Sequence, residues 1–64
     1  MEEKLRPVTE ADFPDDFKDY EPELREQAVA IANRLREERP DDSRTAILKE
    51  AVRRAKHWWM DRAG

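Results

Sequence analysis

The sequence predicts an all-α fold: an antiparallel helical hairpin with a short N-terminal helical turn and an aromatic segment packed across it. Apolar residues recur at spacings of three and four along two stretches, the connection between these stretches is short, and three aromatic residues precede the first one. A chain of 64 residues forms one domain at most. We place this domain at residues 9–64, after a flexible lead-in over residues 1–8.

The aromatic segment contains Phe13, Phe17 and Tyr20, whose spacings of four and three place them on one side of a helical turn. A proline directly after Phe13 suits the start of a short helix, so we expect a turn near residues 14–19. A hairpin alone leaves its outer apolar flanks exposed to water. We therefore predict that Phe13 and Phe17 are core residues and that this segment covers one flank, packing against a tryptophan of the second helix.

The first main helix is predicted over residues 22–38, because Pro22 suits the first helical position and Pro40 ends the run. Acidic residues near its start and arginines near its end match the helix dipole. Its apolar positions repeat every three or four residues, which predicts one buried stripe. The residues of this stripe are Leu24, Ala28, Ile31 and Leu35, with Ala32 beside them.

The second helix is predicted over residues 44–62, after Ser43 as a candidate N-cap. The short connection makes the two helices antiparallel neighbours. The core face of the second helix consists of Ile47, Ala51, Ala55 and Trp58. Small side chains on both helices allow their axes to approach closely.

The second helix also carries the predicted contact surface for a partner. Trp58 and Trp59 point about 100° apart, so both rings cannot enter a core this small. We predict that Trp58 is buried and that Trp59 contacts either the aromatic segment or a partner. The opposite side of the helix is basic. The candidate partner contact consists of Trp59, Lys49, Arg53 and Lys56.

The composition restricts the classes of function. Residues 1–42 carry 7 Lys/Arg and 14 Asp/Glu, whereas residues 43–64 carry 6 and 2, for a total charge of −3. The ends of the fold therefore attract each other. Without cysteine, the chain has no disulfide and no thiol chemistry. It also contains no apolar stretch typical of a membrane span or secretion signal, so we expect a cytoplasmic protein without membrane contact.

The chain contains few side chains of the kinds that enzymes use in catalysis. His57 is the only histidine, and no serine, threonine or tyrosine lies within a recognisable catalytic motif. The aspartates between residues 12 and 19 lack the spacing of a calcium-binding loop. We therefore predict that the protein is not an enzyme and has no catalytic, cofactor-binding or metal site.

Several short motifs follow one another in a defined order along residues 12–59. They are Asp12-Phe13-Pro14, Phe17-Lys18, Arg25, Ala28-Val29-Ala30-Ile31-Ala32-Asn33, Ala46-Ile47, Ala51, Ala55-Lys56 and Trp58. This order resembles the small uncharacterised YdaT-like proteins of bacteria, although residues 38–42 replace the glycine-containing loop usual in that family and Tyr20 stands where it tends to have leucine. A lesser similarity links the chain to ChaB-like proteins, named as cation-transport regulators. The resemblance implies a fold and a bacterial origin, and it brings no established mechanism.

Two functions remain at this stage. The favoured one is a non-enzymatic interaction or accessory protein that presents a helix face to a protein partner or to a second copy of itself. The alternative is association with nucleic acid through the basic face of the second helix. The overall acidic charge of the chain disfavours this alternative. The sequence leaves open the partner, the process, and the choice between monomer and dimer.

Overall fold

The computed structural model describes residues 6–63 of the chain. Two short 3₁₀ turns, Glu10–Asp12 and Asp15–Asp19, precede two long helices, which we call α1 (Pro22–Glu38) and α2 (Arg44–Ala63). The all-α helical hairpin is therefore confirmed. The bounds of α1 are those predicted, and α2 is one residue longer than predicted.

Local signals account for the residues at which both helices begin. Pro22 occupies the start of α1, where the N–H that it lacks has no helical partner to bond. At the start of α2, the Ser43 hydroxyl accepts a hydrogen bond from the Ala46 N–H at 3.1 Å. Ser43 thus satisfies an amide that the helix itself cannot. Only residues 39–43 separate the helices, so they run antiparallel.

The hydrophobic core lies between the two helices and the N-terminal segment, by which we mean residues 6–21. Its buried residues are Val8, Phe13, Phe17, Leu24, Ala28, Ala32, Leu35, Ile47, Ala51 and Ala55. The four alanines on the facing sides of α1 and α2 are at most 1% exposed. Because alanine side chains are small, these positions set how closely the helices pack.

The aromatic segment covers one flank of the hairpin, as its spacing predicts. The Phe13 and Phe17 rings stack with centroids 4.0 Å apart, and the Tyr20 ring meets Phe17 edge-on at 5.5 Å. Both phenylalanines are buried, whereas Tyr20 is half-buried and packs against the core. The N-terminal segment is therefore a third layer of the fold.

This third layer changes which residues of the two helices are buried. Trp58, predicted to be a core residue, is only half-buried and lies outside the core cluster, whereas Trp59, predicted at the boundary, is half-buried and packs against the core. Trp59 lies on the same flank of α2 as Leu48 and Val52, which is the flank that the aromatic segment covers. On α1, Ile31 is only half-buried, and Ala32 takes the fully buried position.

The start of the folded unit also differs from the prediction. Val8 is only 2% exposed and belongs to the core, so residues 6–8 are part of the domain and do not form a lead-in. Residues 1–5 of the predicted lead-in, like Gly64, lie outside the described residues. Val8 was missed because a single apolar residue between Pro7 and Thr9 has no periodic neighbour to indicate burial.

Asn33 of α1 holds Val8 by hydrogen bonds to its backbone. The Val8 N–H donates to Asn33 Oδ1 at 2.9 Å, and Asn33 Nδ2 donates to the Val8 carbonyl at 3.1 Å. The amide side chain thereby satisfies both backbone groups of a residue whose side chain is buried. Nδ2 also donates to the Val29 carbonyl, and Arg36 donates to Oδ1. Asn33 therefore joins the N-terminal segment to the helix.

We expect Asn33→Ala to lower the free energy of unfolding by about 1–2 kcal/mol, because it leaves the Val8 amide and carbonyl without these partners. Urea unfolding followed by circular dichroism measures the change. Arg34→Ala, at an exposed position on the same helix, serves as the control and should change stability by less than about 0.5 kcal/mol. Equal stability of the two variants would show that the Asn33 contacts do not hold Val8.

Two arginines hold the rest of the N-terminal segment. Arg25 of α1 donates to the Lys18 carbonyl at 2.9 Å and lies 3.9 Å from the Glu10 carboxylate. Arg44 of α2 donates to the carbonyls of Arg6 and Pro7 at 3.2 and 3.3 Å. Both helices thus fix the segment by polar contacts in addition to the aromatic packing.

Candidate functional site

A groove of about 460 Å³ lies between the N-terminal segment and α2, and we call it the aromatic groove. Its residues are Asp12, Phe13, Pro14, Asp16, Phe17, Tyr20, Thr45, Leu48, Lys49 and Val52. The lining is mainly apolar and aromatic, with a few polar groups, which is typical of ligand and peptide sites. The groove exists because the aromatic segment packs beside α2 and leaves a furrow along that contact.

The two walls of the groove carry opposite charges. Asp16 lies on the wall formed by the N-terminal segment, and Lys49 lies on the wall formed by α2. Both side chains are exposed, and neither forms an ion pair with another residue in the described part of the chain. Each of these charges is therefore available to a group placed in the groove.

Asp12, at one end of the groove, is by contrast already engaged. Its carboxylate accepts a hydrogen bond from the Thr9 N–H at 2.9 Å and lies 3.2 Å from Arg6 and 3.3 Å from Arg44. The hydrogen bond from Thr9, together with the two arginines, lowers the pKa of Asp12 against a smaller opposing effect of burial. Asp12 therefore stabilises the fold and positions the groove wall that the N-terminal segment forms.

This lowered pKa predicts acid sensitivity. An aspartate whose pKa is lower in the folded state stabilises the fold above its unfolded pKa of about 3.9 and loses this effect as the pH falls through the folded value. We expect Asp12→Asn to lower stability by about 1 kcal/mol at neutral pH, as for loss of a helix cap. The difference from the unmodified chain should shrink below about pH 4.

Urea unfolding at several pH values measures this effect, with Asp15→Asn as a control at an exposed position of the next turn. A stability difference for Asp12→Asn that stays constant down to pH 2 would contradict the assignment, since Asp12 would then contribute independently of its ionisation.

Neighbouring side chains form ion pairs and a cation–π contact with residues of the basic face predicted on α2. Arg53 donates to Glu50 at 2.6 Å, and Arg54 donates to the same carboxylate at 2.8 Å. The hydrogen bond from Arg53 has the largest effect and that from Arg54 the next largest, and together they lower the pKa of the Glu50 carboxyl to about 2. The Lys56 ammonium lies 5.2 Å from the centre of the Tyr20 ring, in a cation–π contact. This face consequently offers less free positive charge to a phosphate backbone than the sequence indicates.

Of the four predicted contact residues, the structure brings only Lys49 into the aromatic groove. Arg53 pairs with Glu50, and Trp59 packs against the core. The Arg62 guanidinium lies 5.1 Å from the Trp58 ring and 5.7 Å from the Trp59 ring, and donates to Glu23 at 2.6 Å. The tryptophans and Arg62 therefore close the open end of the hairpin.

The sequence did not indicate that the other groove residues form a binding site. Phe13, Phe17 and Tyr20 were predicted as a hydrophobic cover, and Leu48 and Val52 follow the ordinary spacing of a core helix. A furrow between two packed elements has no motif of its own. The only feature of the sequence that could have indicated this site is the position of Thr45 and Lys49 around Leu48, because it places polar residues beside an apolar flank of the helix.

Neither helix described in the structure combines the length and apolarity that crossing a membrane requires. Among residues 6–63, no three His, Asp or Glu side chains come together in an arrangement that would hold a metal ion.

No known protein family, curated protein or solved structure matches this chain. The resemblance to YdaT-like and ChaB-like proteins therefore stays a prediction.

Proposed function

We propose that the protein is a non-enzymatic interaction module that binds a protein partner through the aromatic groove. The observation that carries this proposal is the groove itself, in which Leu48 and Val52 of α2 face Phe17 and Tyr20 across an apolar furrow. Exposed apolar concavities rimmed by polar groups are typical of surfaces that bind peptides or helices. The setting that we propose, the bacterial cytoplasm, rests on the family resemblance and fits the lack of cysteine.

The aromatic groove lies among cations of α2 that are already paired within the chain. The arginines of α2 that precede and follow it are held by Asp12, Glu50 and Glu23. Burial of further apolar area at Val52 and Leu48 would contribute about 25 cal/mol per Å². Because the groove is small, the complex would belong to the weak, transient class of interfaces.

The proposal predicts that Val52→Lys weakens peptide binding. Peptides selected from a random display library on the immobilised chain are measured by fluorescence anisotropy against each variant. We expect Val52→Lys to weaken binding at least about tenfold, equivalent to about 1.4 kcal/mol, because a charged side chain then occupies the apolar furrow. Met60→Lys introduces the same residue at a position on α2 that is 69% exposed and outside the groove, and it should leave affinity unchanged.

Thr45→Arg is the second groove variant, for the case that Val52→Lys unfolds the domain. Thr45 is exposed and lines the groove, so a larger side chain there blocks the furrow without entering the core. Selected peptides that bind both groove variants as tightly as the unmodified chain would refute the proposal. Failure to enrich any peptide over an unrelated immobilised protein would refute it as well.

A further inference from the structure

The α2 wall of the aromatic groove has the spacing of a helical ridge. On α2 the wall residues are Thr45, Leu48, Lys49 and Val52, which follow at three, four and seven residues. On the N-terminal segment they are Asp12, Phe13, Pro14, Asp16, Phe17 and Tyr20, which belong to the two 3₁₀ turns and the extended residues beside them. Seven residues of α-helix rise about 10 Å, so the groove accommodates roughly two helical turns.

A furrow along one side of such a ridge has the shape that accepts a ridge of another α-helix. An extended strand would need backbone partners, and α2 forms a wall of side chains whose own backbone groups are bonded within the helix. The shape therefore favours a helical occupant.

The charges of the two walls restrict this occupant further. Asp16 and Lys49 face the groove from opposite sides without an ion pair in the described part of the structure, whereas Asp12 is already neutralised by Arg6 and Arg44. Opposite charges across an interface favour binding, and like charges oppose it. A partner is thus selected by the arrangement of its charges about an apolar stripe, not by its net charge.

We propose that the occupant is a two-turn amphipathic helix of a protein partner, with a basic residue on the flank that meets Asp16 and an acidic residue on the flank that meets Lys49. This inference rests on the proposed function and adds the class and orientation of the partner. The apolar stripe of the helix packs on Leu48, Val52 and Tyr20.

Two synthetic helix-stapled peptides of identical composition test the inference. Both carry a leucine stripe flanked by one lysine and one glutamate, and in the second peptide these two charges exchange places. Titration into the isotopically labelled full chain, followed by amide chemical shifts, locates the site and yields both affinities. We expect shifts at Leu48 and Val52, and one peptide to bind about tenfold more tightly than the other.

A chain with reversed walls, Asp16→Lys together with Lys49→Asp, provides the decisive comparison. Both positions are exposed, and circular dichroism verifies that the variant folds. Its preference should invert, so that the peptide disfavoured by the unmodified chain binds more tightly. Asp15→Lys, an exposed position of the same turn that does not line the groove, should keep the original preference.

The outcomes separate the inference from the proposed function. Equal binding of both peptides at the groove, or an unchanged preference in the reversed chain, overturns the inference and leaves the groove as an interaction site. Absence of any shift at Leu48 and Val52 with either peptide also overturns it, and the display selection then decides the proposed function independently. The sedimentation coefficient of the chain alone is measured at several concentrations. If it rises with concentration, and no longer does so in Thr45→Arg, the occupant is a second copy of the chain, and the inference is overturned.

Discussion

Phe17→Ala is expected to lower the free energy of unfolding by about 3–5 kcal/mol, the usual cost of removing a buried aromatic ring. Phe17 is 2% exposed, stacks on Phe13 and meets the edge of Tyr20, so its loss disrupts the whole N-terminal layer. For a domain of this size, the change corresponds to a fall of roughly 15 °C or more in the thermal midpoint. Thermal unfolding followed by circular dichroism measures it.

The matched control is Met60→Ala, which truncates a large apolar side chain that is 69% exposed. It should change stability by less than about 0.5 kcal/mol. A midpoint for Phe17→Ala within 2–3 °C of the unmodified chain, roughly the shift produced by 0.5 kcal/mol, would mean that the aromatic segment does not contribute to the stable core.

Ala51→Leu should destabilise the protein by about 2–3 kcal/mol, because a larger side chain at the contact between the helices forces their axes apart. Ala51 is fully buried and lies at the centre of the α2 side of this contact. Leucine and alanine both favour helices, so the loss reports packing and not helix propensity. Chemical denaturation measures the change in unfolding free energy.

Ala46→Leu makes the same replacement at an exposed position of α2 and should be nearly neutral. Comparable stability of the two leucine variants would contradict the close alanine packing. It would indicate that the helices can separate at this point without loss of other contacts.

Three polar residues of the short sequence motifs have structural explanations. Asp12 accepts from Thr9 and pairs with Arg44, Arg25 donates to the Lys18 carbonyl, and Asn33 holds Val8. All three fix the N-terminal segment on the hairpin. These three polar residues therefore act as structural contacts within the fold.

The candidate site could be predicted only in part. Lys49 was identified as a contact residue from the basic side of α2, and Phe13, Phe17 and Tyr20 were identified as one apolar surface. Their combination into a groove depends on how closely the N-terminal segment packs beside α2. No local pattern carries that distance, since residues 13–20 and 45–52 are far apart in the chain.

The sequence by itself determined the two helices, their ends and their antiparallel arrangement, because Pro22, Pro40 and the Ser43 cap act through neighbouring backbone groups. Only the tertiary structure decided that Trp59 rather than Trp58 packs on the core, and that Val8 belongs to it. Helical periodicity defines a broad apolar face without saying which flank will be covered. The N-terminal segment covers one flank through contacts between residues distant in sequence, such as Asn33 with Val8, and so selects the buried set.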